Sequence, residues 1–202
     1  MSVKMIELPY GPYDLEPHID GKTMIVHYNQ FYKKYVDGLN QMLEKYSQFA
    51  DMTTEELAVS RLNIPKTDAD KIRHYAGGVL NHELYFLGMT PKTTGPHGQL
   101  GEAIIRQYGS WGQLKQLMRE AAASVFGSGC MYLVTEGNGV LRLNLTPNQE
   151  MPPLGTVSPV LAADLWEHAY FEKHKSNRAA YVEDWFAVID WDRAERLFRQ
   201  GQ

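Results

Sequence analysis

The hydrophobic pattern of this chain changes period twice, and the two changes restrict what it can fold into. From about residue 20 to about 126, apolar and aromatic residues return every three or four positions, the period of an α-helix. Gly127-Ser128-Gly129 ends that pattern. Met131 to Thr135 and Val140 to Leu145 then flank Glu136-Gly137-Asn138-Gly139, a strong hairpin turn, and Val160 to Ala163 is short and apolar enough for a third strand. From Glu167 to Arg199 the pattern is helical again, with breaks near Asn177 and Asp190. Helices and strands grouped in separate runs indicate an α+β fold, not alternating βαβ units.

The first half reads as a helical hairpin. Residues 6–19 hold three prolines and a glycine and are expected to form an extended arm on the body. Asp20 is a candidate N-cap for a helix to about residue 49, with His27, Phe31 and Tyr35 on its buried stripe. Asp51 to Glu56 breaks it and supplies a new cap, and Leu62-Asn63-Ile64-Pro65 closes a short helix. A second long helix is expected from Thr67 or Asp68 to about Met89, where Thr90-Pro91 stops it; Val79, His82, Tyr85 and Phe86 share its apolar face. Each long helix thus carries one histidine inward. Lys92 to Gly98 is the best linker in the chain. The expected domains are 1–91, an arm with a helical hairpin, and 92–202, helices around a three-stranded antiparallel sheet. The latter opens with helices near 99–108 and 111–126, the second capped by Ser110.

Composition excludes several classes. A net charge of -4 and a pI near 6.0, with no basic run beyond Lys33-Lys34, argue against nucleic-acid binding. Cys130 is the only cysteine, so neither an intramolecular disulfide nor a thiolate zinc site can form. No stretch has the length of a signal peptide's apolar region or of a membrane span, so a reducing cytoplasm is the expected compartment.

Asp164 and His168 lie four residues apart, which on a helical turn puts both on one face, with Trp166 between them able to wall the point off from water. With His27 and His82 they would give three neutral nitrogens and one carboxylate oxygen, a set suited to manganese, iron or zinc that leaves a fifth position open. One anionic ligand also leaves the ion with residual positive charge. Taken singly these signals are weak: a histidine on an apolar face is usually a satisfied core residue, and an acid–histidine pair at this spacing commonly only stabilises a helix. Spacing alone leaves the function open.

Longer motifs narrow it. Leu8-Pro9-Tyr10, Leu15-Glu16-Pro17-His18-Ile19, Tyr35-Val36, Asn81-His82, Phe126-Gly127-Ser128-Gly129, Asn148-Gln149 and Asp164-x-Trp166-Glu167-His168-Ala169-Tyr170 together resemble an iron/manganese superoxide dismutase, in order along nearly the whole chain. The resemblance implies one manganese or iron ion per subunit, held by His27, His82, Asp164 and His168. That ion would cycle by one electron to convert superoxide to oxygen and hydrogen peroxide. Gln149 matches the glutamine with which manganese-type members tune the ion through its bound solvent, and Gly77-Gly78 match their glycines, so manganese is the preferred metal. Tyr35 corresponds to the gateway tyrosine and Trp166 to a lid over the metal. Glu167 resembles the residue that reaches the second subunit's His168, with Tyr170 and Arg178 at the same interface, which implies a homodimer or a pair of dimers.

The chain departs from the family near this pocket. Phe31 stands where most members carry a histidine that links the gateway tyrosine to the partner subunit, and a phenyl ring can neither donate nor accept a hydrogen bond. Phe86, Cys130 and Tyr132 stand where tryptophans are usual. These substitutions favour an alternative, a metal-binding dimeric homologue with reduced or lost dismutase activity. Lys33, Lys34 and Arg178 are candidates to steer an anionic substrate.

Overall fold

The computed structural model describes residues 2–202. The first long helix is continuous but not uniform: α1 (Gly21–Val26) passes into a π-helical turn (His27–Tyr32) and then α2 (Lys33–Lys45). An uninterrupted α-helix over 20–49 is therefore corrected at its centre, and at its end, where Tyr46 breaks it before a 3₁₀ turn over Ser47–Phe49. Asp20 caps α1 through Thr23 N–H. Thr53 and Glu56 form a reciprocal capping box on α3 (Thr54–Val59), which satisfies two helix-end amides at once. Helix α4 (Lys66–Leu87) packs against both α2 and α3 and delivers His82 to the interior.

The N-terminal arm is less extended than its prolines suggest. It folds into successive turns from Gly11 to Ile19, with Leu15 and Ile19 buried, and Tyr10 Oη anchors it by donating to the Phe86 carbonyl at 2.6 Å. His18 Nδ1 and the Lys173 amine meet Asp184 at 3.0 and 2.7 Å, tying the arm to the C-terminal helices.

The second half opens with α5 (Gly98–Tyr108) and α6 (Trp111–Ser124), the latter capped by Ser110 as its sequence indicates. Strands β1 (Gly129–Thr135), β2 (Leu141–Pro147) and β3 (Ser158–Asp164) form one antiparallel sheet in the order β2-β1-β3. Gly137, Asn138 and Gly139 all have positive φ, which lets the β1–β2 hairpin reverse. Central β1 is buried along its whole length, and its register sets Cys130 opposite Asp164. Helices α7 (Phe171–His174), α8 (Arg178–Phe186) and α9 (Trp191–Gln200) complete the C-terminal part. Thr90 N–H to Val188 O (2.7 Å) and Asp190 N–H to Gly88 O (2.8 Å) stitch the end of α4 to the α8–α9 connection. No helix of the described residues is long and apolar enough to cross a membrane.

Candidate metal centre

The four sequence-predicted ligands come together. One donor atom from each of His27, His82, Asp164 and His168 lies within 4.8 Å of the other three. They arrive from four elements: the start of the π turn, the C-terminal third of α4, the end of β3, and a 3₁₀ turn over Glu167–Ala169. This corrects the reading of Asp164 and His168 as one face of a helical turn. Asp164 is the last strand residue, paired with Cys130, and Trp166 is extended (φ -68°, ψ 146°), so the two side chains converge across a tight corner. Trp166 N–H donates to Asp164 Oδ1 at 2.9 Å and holds that corner. Tyr181 Oη donates to the Asp164 carbonyl at 2.8 Å from the other side.

The donor chemistry fits a cation. His82 Nδ1 lies 2.6 Å from the Gly78 carbonyl, which fixes its proton there and leaves the Nε2 lone pair facing inward. His27 Nε2 lies 3.1 Å from Asp164 Oδ2 but off the line that a hydrogen bond requires. Both nitrogens of His27 and Nε2 of His82 are thus buried without a hydrogen-bond partner among the described residues. Buried polar atoms are normally paired, so this convergence is costly unless something else satisfies it. Burial lowers His27 to about 4 and His82 to about 3, so both are neutral and able to coordinate at neutral pH. For Asp164, burial pushes the carboxyl up, but His168 and His27 more than offset it and hold it well below the usual carboxylate range. Neutral imidazoles around one carboxylate are the state a divalent or trivalent ion would bind.

Aromatic rings close the cluster. Phe31 stacks on His168 at 4.2 Å between ring centres, Trp166 stacks on it at 5.5 Å, and Phe86 meets His27 edge-on at 4.9 Å. Trp166 also donates from Nε1 to the Asn148 carbonyl at 3.1 Å, and it is only partly buried. Gln149 is 2% exposed, and its Nε2 donates to Tyr35 Oη at 3.1 Å. Two glycines make that approach feasible: a Cβ at Gly77 would lie 2.1 Å from the Gln149 carbonyl oxygen, and one at Gly78 would lie 2.1 Å from the Tyr35 ring. Burial raises the Tyr35 phenol to about 12, with the Gln149 hydrogen bond pulling the other way.

The family models now become decisive. That for the α-hairpin domain of iron/manganese superoxide dismutases matches residues 2–90, and that for their C-terminal domain matches residues 96–197. The chain belongs to the iron/manganese superoxide dismutase family. Among curated relatives of this family, "Superoxide dismutase [Mn]" of Thermus thermophilus is 38% identical over 200 residues, covering 98% of each chain. "Superoxide dismutase [Mn] 1" of Leptolyngbya boryana is 34% identical over 202 residues, covering 98% of this chain and 82% of its own. "Superoxide dismutase [Mn]" of Thermus aquaticus is 38% identical over 198 residues, covering 97% of each chain.

Three residues expected at a subunit interface differ in their surroundings. Glu167 is exposed, free to reach another chain. Tyr170 is already buried within its own chain, stacked on Tyr181 at 5.0 Å. Arg178, expected in interface ion pairs, directs its guanidinium to main-chain carbonyls, with Nη1 2.7 Å from Val125 O and Nη2 on Gly127 O. Of the steering candidates, Lys33 is paired with Asp37. Sequence reasoning assigned no role to Asn81 beyond a motif neighbour of His82, and treated Tyr132 only as a lost tryptophan. The signal for Asn81 was an amide on an apolar helix face; for Tyr132 there was none, because its partner lies 51 residues away.

Proposed function

We propose that this protein is a superoxide dismutase that binds one manganese or iron ion, manganese preferred, through His27, His82, Asp164 and His168. The observation that carries this reading is the convergence of those four donors, with buried and unpartnered imidazole nitrogens, in a chain matched by the family along almost its whole length. When bound, the ion supplies one-electron cycling between trivalent and divalent states, oxidising one superoxide to oxygen and reducing the next, with two protons, to hydrogen peroxide.

The chain's own residues do the rest. A single carboxylate among the ligands leaves the site net positive, which favours an anionic substrate. Phe31, Trp166 and Phe86 exclude water from the histidine rings. Tyr35 keeps its proton at neutral pH and holds it at Oη beside the Gln149 amide, where it can be passed inward. Gln149 tunes the site by hydrogen bonding without ligating the ion. Phe31 cuts the usual relay from Tyr35 toward a second subunit, so proton supply to Tyr35 depends on solvent.

The same reading includes a homodimer in which Glu167 of the partner subunit supports His168, with Tyr170 and Arg178 behind the contact, a division of the chain at residues 91 and 92, and a cytoplasmic location. The test is elemental analysis of purified protein, paired with superoxide removal by separately manganese- and iron-loaded samples. Activity well above free metal, greater with manganese, is expected. Tight metal binding without turnover would identify a binding homologue instead.

A further inference from the structure

Four buried side chains form one hydrogen-bonded chain beside the metal centre. Tyr132 Oη donates to Asn81 Oδ1, Asn81 Nδ2 donates to Gln149 Oε1 at 3.0 Å, and Gln149 Nε2 donates to Tyr35 Oη at 3.1 Å. Tyr132 is fully buried, Asn81 and Gln149 nearly so. Two amides in series can run in either of two directions, because the oxygen and nitrogen ends of an amide have almost the same shape and only their partners distinguish them. In the reverse direction Tyr132 would give its proton to the Glu150 carbonyl, both amides would flip, and Gln149 would turn its carbonyl oxygen toward Tyr35.

The choice between the directions is made at Tyr132. Asn81 and Gln149 are each able to flip, and Tyr35 can donate or accept, so none of them fixes the sense of the chain. The Tyr132 hydroxyl has one proton; Asn81 Oδ1 meets it in a short contact and Glu150 O lies at 3.4 Å, where a hydrogen bond is weak, while the Thr146 hydroxyl and the Cys130 thiol also lie beside it. The nearer acceptor wins. Cys130, another residue at a position usually held by tryptophan, does not substitute: its thiol lies 4.0 Å from the Asn148 carbonyl and beside the Tyr132 hydroxyl, and a thiol is only a weak donor.

We propose that Tyr132 is a positioning residue which, through Asn81, sets the direction of the Gln149 amide so that its N–H groups face Tyr35 and the metal pocket. This rests on the reading of Gln149 as the group that tunes the metal site. An N–H directed into the pocket stabilises an anion there, whereas a carbonyl oxygen repels it. The burial that raises the Tyr132 phenol well above its ordinary range keeps its proton in place at all working pH values.

Tyr132→Phe removes the donor and keeps the ring. In metal-free, nitrogen-15-labelled protein, the Gln149 side-chain amide resonances are expected to shift and broaden as the two orientations mix. In manganese-loaded protein, azide, used as an anionic probe, is expected to bind about tenfold more weakly, the lower end of what loss of an outer-shell partner typically costs. In a Gln149→Leu background, Tyr132→Phe should weaken azide no further, because its effect passes through Gln149. Unchanged Gln149 resonances, or azide losses that simply add in the double variant, would overturn the proposal. Should Tyr132→Phe not fold, 3-fluorotyrosine at position 132, a stronger donor of nearly the same size, should move the same resonances the opposite way; no movement overturns it equally. An inactive wild-type holoprotein would defeat the dismutase reading, while the resonances of the metal-free protein would still decide the role of Tyr132.

Discussion

At the scale of single residues, position and chemistry can be separated at Gln149. Its replacement by leucine keeps the volume roughly constant but leaves Asn81 Nδ2 and Tyr35 Oη without their partner. Leaving buried polar groups unpaired costs about 1–3 kcal/mol, a drop of several degrees in Tm for a chain of this size. Activity should fall further, by about 10–100-fold, because the outer-shell hydrogen bond that tunes the metal is lost. Comparing thermal melts with superoxide removal checks this; proportionate losses in both would make Gln149 merely structural. The ligand histidines give a second prediction. Their folded values, about 4 for His27 and about 3 for His82, lie below the ordinary 6.5, so the unfolded chain binds more protons than the folded one between those limits. Stability of the metal-free protein should therefore fall as pH drops from about 6.5 toward 4, by at most about 2.7 kcal/mol per pH unit for two protons. Asp164, held below its usual range, acts in the same sense at still lower pH. Urea unfolding of metal-free protein across this range measures the slope, and stability that is flat or rising on acidification would contradict the assignment of neutral, buried imidazoles.

At the scale of elements, the π turn is what brings His27 and Tyr35 to one pocket. Eight α-helical steps of about 100° would leave them about 80° apart around the axis, whereas seven bring them within about 20°. A π turn behaves as a one-residue insertion into an α-helix, which absorbs the eighth step. Both rings accordingly pack on His82, at 4.9 Å for His27 and 5.1 Å for Tyr35. Deleting exposed Gln30 from this turn should leave a regular helix that still binds manganese, whereas inserting an alanine after Gln30 should rotate His27 away and abolish tight binding. Metal content after dialysis, with circular dichroism to confirm helicity, distinguishes the two; equal retention by both variants would dismiss this account. The same turn shows where sequence stops being informative. Three- and four-residue spacing found the helix, its cap and its buried stripe, since those follow from local periodicity. It could not reveal a wider turn, which depends on packing against α4. Asp164 and His168 were likewise legible as a pair, but their geometry was not: whether four residues span a helical turn or a strand-end corner is decided by β3 pairing with β1. The Tyr132–Asn81–Gln149 linkage joins three segments distant in sequence, and only the fold puts them in contact.

At the scale of the whole molecule, one surface stands out for what it leaves uncovered. Phe126 is wholly exposed, and Phe171 is 47% exposed, close in sequence to exposed Glu167. A phenyl ring fully in water is unfavourable by the apolar area it presents, and exposed apolar groups of this kind mark association sites. The posture of Phe126 is enforced, because Arg178 grips the carbonyls on either side of it, Val125 and Gly127, while its Nε donates to Tyr170 Oη at 3.3 Å. If the proposed dimer forms through this surface, two-fold symmetry makes every contact count twice. Phe126→Asp should convert a dimer into a monomer at micromolar concentration, since burying a carboxylate in an apolar contact is strongly disfavoured. Ile105→Asp, at another exposed apolar residue, on α5, is the control and should leave the dimer intact. Sedimentation velocity reads both directly. If Glu167 of the partner subunit supports His168, the Phe126→Asp monomer should also bind manganese more weakly, by about 10–100-fold as for other outer-shell losses. A monomer that retains the metal as tightly as the wild type would detach the interface from the metal centre and leave His168 dependent on its own chain alone.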